Sequence, residues 1–145
     1  MRIVMASVLA LLVPTGAHAH VSVSPHESRL GATEKYVVRA PTEGKVATTS
    51  VELDVPDGVT VETMAVPMGW KYEVKRQGDR IVGIVWQMEI RPGEYAEFGF
   101  VARNPKDKKQ LVWKLRQRFA DGTSTDWTVG PEGNPRPTAL TRLTP

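Results

Sequence analysis

Val51-Glu52-Leu53-Asp54-Val55-Pro56-Asp57-Gly58 reads as a β-strand that ends in a turn. Apolar residues fall at 51, 53 and 55 and acids at 52 and 54. With that period of two, successive side chains leave opposite faces, so one face meets a core and the other meets water. Pro56 presets φ, Asp57 can bond its own backbone and Gly58 tolerates positive φ, which together make a turn. The strand reaches back to Val46.

The same grammar extends in both directions. Upstream, Glu34 to Ala40 carries Tyr36, Val37 and Val38 and stops at Pro41-Thr42-Glu43-Gly44; Val21 to Ser24 is a short alternating strand, followed by a loop marked by Pro25 and Gly31. These two are expected to pair. Downstream come Val59 to Val66, a poorer strand of edge character, and then Pro67-Met68-Gly69-Trp70. Trp70, Tyr72 and Val74 alternate with Lys71, Glu73 and Lys75, and Gln77-Gly78-Asp79 turns the chain into Arg80 to Met88, where Val82, Ile84, Trp86 and Met88 share a face. Arg91-Pro92-Gly93 leads into Glu94 to Ala102. Beyond a loop at 103–109, Leu111, Trp113, Leu115 and Phe119 line one long strand, Asp121-Gly122 is a hairpin signal, and Thr123 to Val129 returns.

No stretch carries a helical stripe, and 11 prolines and 12 glycines punctuate the chain at the spacing of a sandwich or barrel. The expected fold is all-β: an antiparallel β-sandwich of immunoglobulin-like or cupredoxin-like topology. The expected organisation is a signal peptide at 1–19, the sandwich at 20–130 and a proline-rich tail at 131–145 that lies over the surface or is disordered.

Residues 1–19 have the pattern of an export signal: Arg2, an apolar run from Ile3 to Val13, and Ala17-His18-Ala19 as a small-x-small cleavage site. The apolar run is shorter than the roughly 20 residues of a membrane span. The chain has no cysteine, so thiolate metal sites and cysteine nucleophiles are excluded and the fold stands on its core. Lys and Arg total 19 against 16 Asp and Glu, with the signs interspersed. Nucleic-acid binders cluster basic residues on one face, so no nucleic-acid partner is expected. The C-terminus carries no apolar anchor, and the processed chain is expected to be free in the periplasm or secreted.

Cleavage after Ala19 would make His20 the first residue. One residue then offers two nitrogens, its α-amine and its imidazole Nδ1, with ordinary pKa values of about 7.7–8.0 and 6.5, so both are available to a metal near neutral pH. Pairing 20–25 against 34–41 places residue 20 near 40–43, which makes Glu43 the nearest carboxylate and sends Glu27 and Glu34 to the opposite end. Two nitrogens, a carboxylate oxygen and water suit tetragonal Cu(II), with zinc as the competitor. His26 reads as an exposed loop residue; extended, the chain from His20 to His26 spans about 20 Å. Trp70, Trp86 and Trp113 read as core. Trp127 stands near the end of the last strand, where it is either core or a rim residue able to shield a metal. Met64 and Met68 carry thioethers of the kind that suits Cu(I), but two spaced methionines are ordinary packing residues and are not assigned to the site.

The run His20-Val21-Ser22-Val23-Ser24-Pro25-His26-Glu27 resembles the processed start of YcnI-like domains, exported bacterial proteins associated with copper. Val38-Arg39-Ala40-Pro41-Thr42-Glu43, Pro67-Met68-Gly69-Trp70, Ile84-Val85-Trp86, Phe98 to Val101 and Asp121-Gly122 to Trp127 extend the resemblance in order along the chain. It implies a cupredoxin-related β-sandwich and a Cu(II) site built on a single-histidine brace, with its roles falling on His20, Glu43 and Trp127. Glu27 is the rival carboxylate, because Pro-x-Glu also belongs to the pattern. The chain departs from many members in having Pro-Met-Gly-Trp where Pro-Gly-Trp is common, and in lacking a C-terminal anchor. The function expected is non-enzymatic: copper sequestration or delivery, with a copper-transfer protein as partner. Two other readings are a copper-dependent oxidase of the polysaccharide-cleaving kind, which needs a second histidine, and a metal-free module that binds a partner along a sheet edge.

Overall fold

A computed structural model describes residues 20–145; the expected signal peptide lies outside the described residues. Twelve strands follow in order: β1 Ser22–Ser24, β2 Glu27–Arg29, β3 Thr33–Pro41, β4 Thr48–Asp54, β5 Thr60–Met64, β6 Lys71–Gln77, β7 Arg80–Ile90, β8 Tyr95–Arg103, β9 Gln110–Val112, β10 Lys114–Phe119, β11 Ser124–Asp126 and β12 Leu140–Thr144. They form a four-stranded sheet β1-β3-β8-β5, a five-stranded sheet β11-β10-β4-β7-β6 and a small sheet β2-β12-β9. All pairs are antiparallel except β12 with β2.

The two large sheets face each other across the core. Val51 and Leu53, the inward residues of the opening stretch, are buried with Ile84 and Trp86 of β7 and Phe98 and Phe100 of β8. Trp86 stacks on Phe98 with centroids 5.1 Å apart, and Trp113 meets both Tyr36 and Phe100. Such ring pairs add to the burial term of the largest side chains in the molecule. Trp70 is half-buried and packs edge-on against Phe98.

Two expectations are corrected. The long strand 111–119 divides at Trp113: β9 joins the small sheet and β10 the five-stranded sheet. The alternation of apolar residues runs through the break, so periodicity alone does not show it. The tail is also part of the fold. A 3-10 turn at Pro137–Ala139 leads into β12, and Ala139, Thr141 and Leu143 are buried. Thr141 explains the docking: its hydroxyl donates to the Pro25 carbonyl at 2.8 Å and accepts the Trp113 indole N–H at 3.0 Å. Thr141→Val keeps the shape but strands both partners, and is expected to lower stability by roughly 2 kcal/mol, read from denaturant unfolding.

Tyr36 anchors the far end of the core through a 2.6 Å bond to Asn104 Oδ1, while Asn104 Nδ2 donates to Ser28 Oγ and to the Arg29 carbonyl. Burial pushes the Tyr36 phenol up to about 12, helped by the charge of Glu34 and opposed by the bonds to Ser28 and Asn104. The fold therefore favours the neutral phenol. Its contribution is fully present below the unfolded value of about 10 and is lost as pH rises from there towards the folded value. Denaturation midpoints measured across that window should fall steeply with pH in the wild type and less steeply in Tyr36→Phe.

Candidate metal centre

The β1–β3 register pairs Ser22 with Arg39 and Val23 with Val38. Extended by two residues, it sets His20 opposite Pro41, where the sequence places it. Val21 and Val23 are fully buried, so the strand is pinned directly behind His20.

After Pro41 the chain is held from several sides. The Thr42 N–H donates to the Glu94 carbonyl and its carbonyl accepts from Gly93 N–H, both at 2.9 Å. Its hydroxyl lies 2.6 Å from Thr48 Oγ1 and donates to the Ile90 carbonyl. Glu43 follows this anchored residue with its side chain exposed on the rim.

Trp127 arrives from the opposite sheet. At the Asp121-Gly122 turn, Gly122 adopts φ +85 and Asp121 accepts both the backbone N–H and the hydroxyl of Thr123. Those bonds hold the Asp121 carboxyl below its ordinary range. β11 then pairs with β10, and the Trp127 N–H donates to the Leu115 carbonyl at 2.9 Å. The Trp127 ring comes to rest 5.0 Å from the His20 ring, tilted by 47°. The Arg136 guanidinium also lies over the indole, 5.5 Å from its centroid. Glu43, Gln117, Asp121 and Trp127 line one cleft of ≈ 290 Å³.

Gln117 interrupts an apolar face between Leu115 and Phe119, and that interruption is the signal in the sequence that marks it. The side chain is buried and uses both ends. Its Oε1 accepts the Trp127 indole N–H at 2.9 Å, while Nε2 donates to the Pro41 carbonyl at 2.8 Å and to Thr48 Oγ1 at 2.6 Å. One amide thus ties Trp127 to the residue opposite His20.

Among the described residues, His20 Nδ1 is buried and has no hydrogen-bond partner. Such an atom is uncommon in a native fold, since leaving it unpaired costs about 1–3 kcal/mol. A nitrogen kept bare beside an aromatic ring, with carboxylates on the adjoining cleft, fits a borderline metal such as copper.

The remaining candidates lie elsewhere. Glu27 belongs to β2 and pairs with Arg142 at 2.9 Å. His26 is exposed, 3.4 Å from the Leu140 carbonyl, and extended β1 separates it from His20. Among the described residues, no three His, Cys, Asp or Glu side chains form a metal-binding group. Among the described residues, no helix is long and apolar enough to cross a membrane.

The strand order and the packed faces define an immunoglobulin-like β-sandwich with a lone histidine at the head of its first strand. The chain matches, over residues 20–141, the family described as Domain of unknown function (DUF1775), and it belongs to that family, the YcnI-like proteins. It is 33% identical over 144 residues to the copper-binding protein CutI of Bacillus subtilis (strain 168), a match spanning 97% of this chain and 69% of CutI. A crystal structure of an uncharacterized Nocardia farcinica protein with an immunoglobulin-like fold superposes with a TM-score of 0.69 at 22% identity, covering 87% of this chain and 99% of that one. A cohesin module from a Clostridium perfringens family 33 glycoside hydrolase superposes at 0.52 with 13% identity, covering 87% and 98%. These last two likenesses speak to fold.

Proposed function

We propose that this chain is an exported Cu(II)-binding protein that sequesters copper or hands it to a partner protein in the periplasm or outside the cell, and is not an enzyme. Export removes residues 1–19, and the new α-amine joins His20 Nδ1 as a chelating pair. Glu43 supplies an anionic oxygen, and Trp127 covers the metal and limits water. Bound copper would supply no reaction here; it is the cargo. The observation that carries this reading is His20 Nδ1, buried against the Trp127 ring without a partner among the described residues. The copper-binding relative supports the choice of metal.

A copper oxidase of the two-histidine kind fits the residues less well, because His26 is held at the other end of β1, against β12. The test of the proposal begins with mass spectrometry of the exported protein, which should show a chain starting at His20. A different first residue removes the α-amine from the site and overturns the proposal. Electron paramagnetic resonance of the processed protein should then show one Cu(II) with nitrogen coupling.

A further inference from the structure

We infer that the chain carries a second copper site, selective for Cu(I), built from the thioethers of Met68 and Met88. The two methionines line one cleft of ≈ 470 Å³ together with Trp70, Glu89 and Tyr95. Met64 does not line it. Met64 ends β5 and packs against the core. Met68 instead projects from the loop after β5, 84% exposed.

Met88 reaches the cleft from the sheet. Trp86 and Ile90, two residues to either side of it on β7, are buried, and Met88 itself is partly buried against the core where it lines the cleft. The β6–β7 register pairs Lys71 with Gln87, and one step further Trp70 stands opposite Met88. Gly69, at φ +80, makes the turn that leads Met68 into Trp70. Trp70 is itself fixed by its edge-on contact with Phe98 at 5.3 Å.

Packing does not account for Met68. An apolar side chain left this open is ordinary when it is isolated, but Tyr95, 59% exposed, lines the same cleft. An exposed apolar group of that kind marks a binding surface. The chemistry of this one is specific: soft thioether sulfurs select Cu(I) over hard cations, an indole face attracts a cation, and Glu89 adds negative charge at the mouth. The cleft also belongs to the same rim as His20, since Gly93 and Glu94 exchange backbone bonds with Thr42, the residue before Glu43. A Cu(I) site and a Cu(II) site would then stand side by side, each with ligands matched to its ion. The inference rests on the copper reading for its choice of metal, but it uses none of the same ligands.

The test is competition for Cu(I) against a colorimetric chelator, anaerobically and under ascorbate, with residues 20–145. Wild type should hold one Cu(I). Met68→Leu and Met88→Leu are near-isosteric, and each should weaken Cu(I) by about tenfold or more while the Cu(II) resonance signal stays unchanged. Met64→Leu should change neither, and His20→Ala should abolish the Cu(II) signal and keep Cu(I). X-ray absorption should show copper–sulfur scattering that both cleft variants reduce. Equal Cu(I) affinity in wild type and the two cleft variants overturns the inference and leaves the cleft an apolar contact surface. Loss of Cu(I) in His20→Ala but not in Met68→Leu overturns it too, placing both oxidation states at His20.

Discussion

Replacing His20 by Ala is expected to lower Cu(II) affinity by more than about 100-fold, beyond the 10–100-fold that loss of a supporting residue costs at a metal site. The substitution removes one of two chelating nitrogens and opens the ring they form with the metal. Retaining a single extra residue ahead of His20 should have a comparable effect by a different route: the imidazole survives, but the α-amine becomes an amide. The two variants should fold like wild type, because the half-buried His20 side chain lies outside β1 and the strand is pinned by Val21 and Val23. Relief of the unpaired Nδ1 should even make His20→Ala slightly more stable in the absence of metal. Calorimetric titration with Cu(II), run beside thermal unfolding, separates the outcomes. Unchanged affinity in both variants would sink the single-histidine site.

The sequence makes some of this legible and hides the rest for physical reasons. Alternation exposes Val51, Leu53, Ile84 and Phe98 as core because the period of a half-buried strand is visible in residue type alone. The position of His20 near 40–43 follows from pairing the two strands on either side of residues 26–33, and the register of β1 on β3 agrees, although that connection itself forms β2. What alternation does not carry is which sheet a strand belongs to. Trp113 lies between β9 and β10 and is buried like Leu111 before it and Leu115 after it, so the switch between sheets leaves the pattern intact. β12 is obscured by the prolines before it, although Leu140, Arg142 and Thr144 alternate with Thr141 and Leu143 in a strand-like way. Polar residues at the core are hidden most thoroughly. Thr42, Thr48 and Gln117 meet only in three dimensions, and nothing in their sequence spacing links them.

Gln117 is where that hidden network bears on the site, and Gln117→Leu is expected to have two separable effects. The first is on stability. Leucine fills much of the volume, but the Trp127 indole N–H loses its acceptor and the Pro41 carbonyl loses this donor, while the Thr48 hydroxyl keeps its bond to Thr42. At about 1–3 kcal/mol for each group left unsatisfied, with partial repair by water at this rim, the net cost should be roughly 2–4 kcal/mol. The second effect is on copper. Without Gln117 the indole has no polar anchor on the side of β10, and the ring that stands 5.0 Å from His20 gains rotational freedom. Supporting residues of this kind typically contribute 10–100-fold to metal affinity, so Cu(II) binding should weaken by about that factor, with a changed resonance spectrum and weaker quenching of Trp127 fluorescence by the metal. Thr141→Val supplies the matched control. It breaks a comparable buried network around Trp113 in the β12 region, so it should lose comparable stability yet keep wild-type Cu(II) affinity and spectrum. If Gln117→Leu also keeps them, Gln117 serves the fold alone and Trp127 needs no orienting partner. If affinity falls in Gln117→Leu and holds in Thr141→Val, the amide positions the indole, and the copper site extends from the first residue of β1's lead-in to the middle of β10.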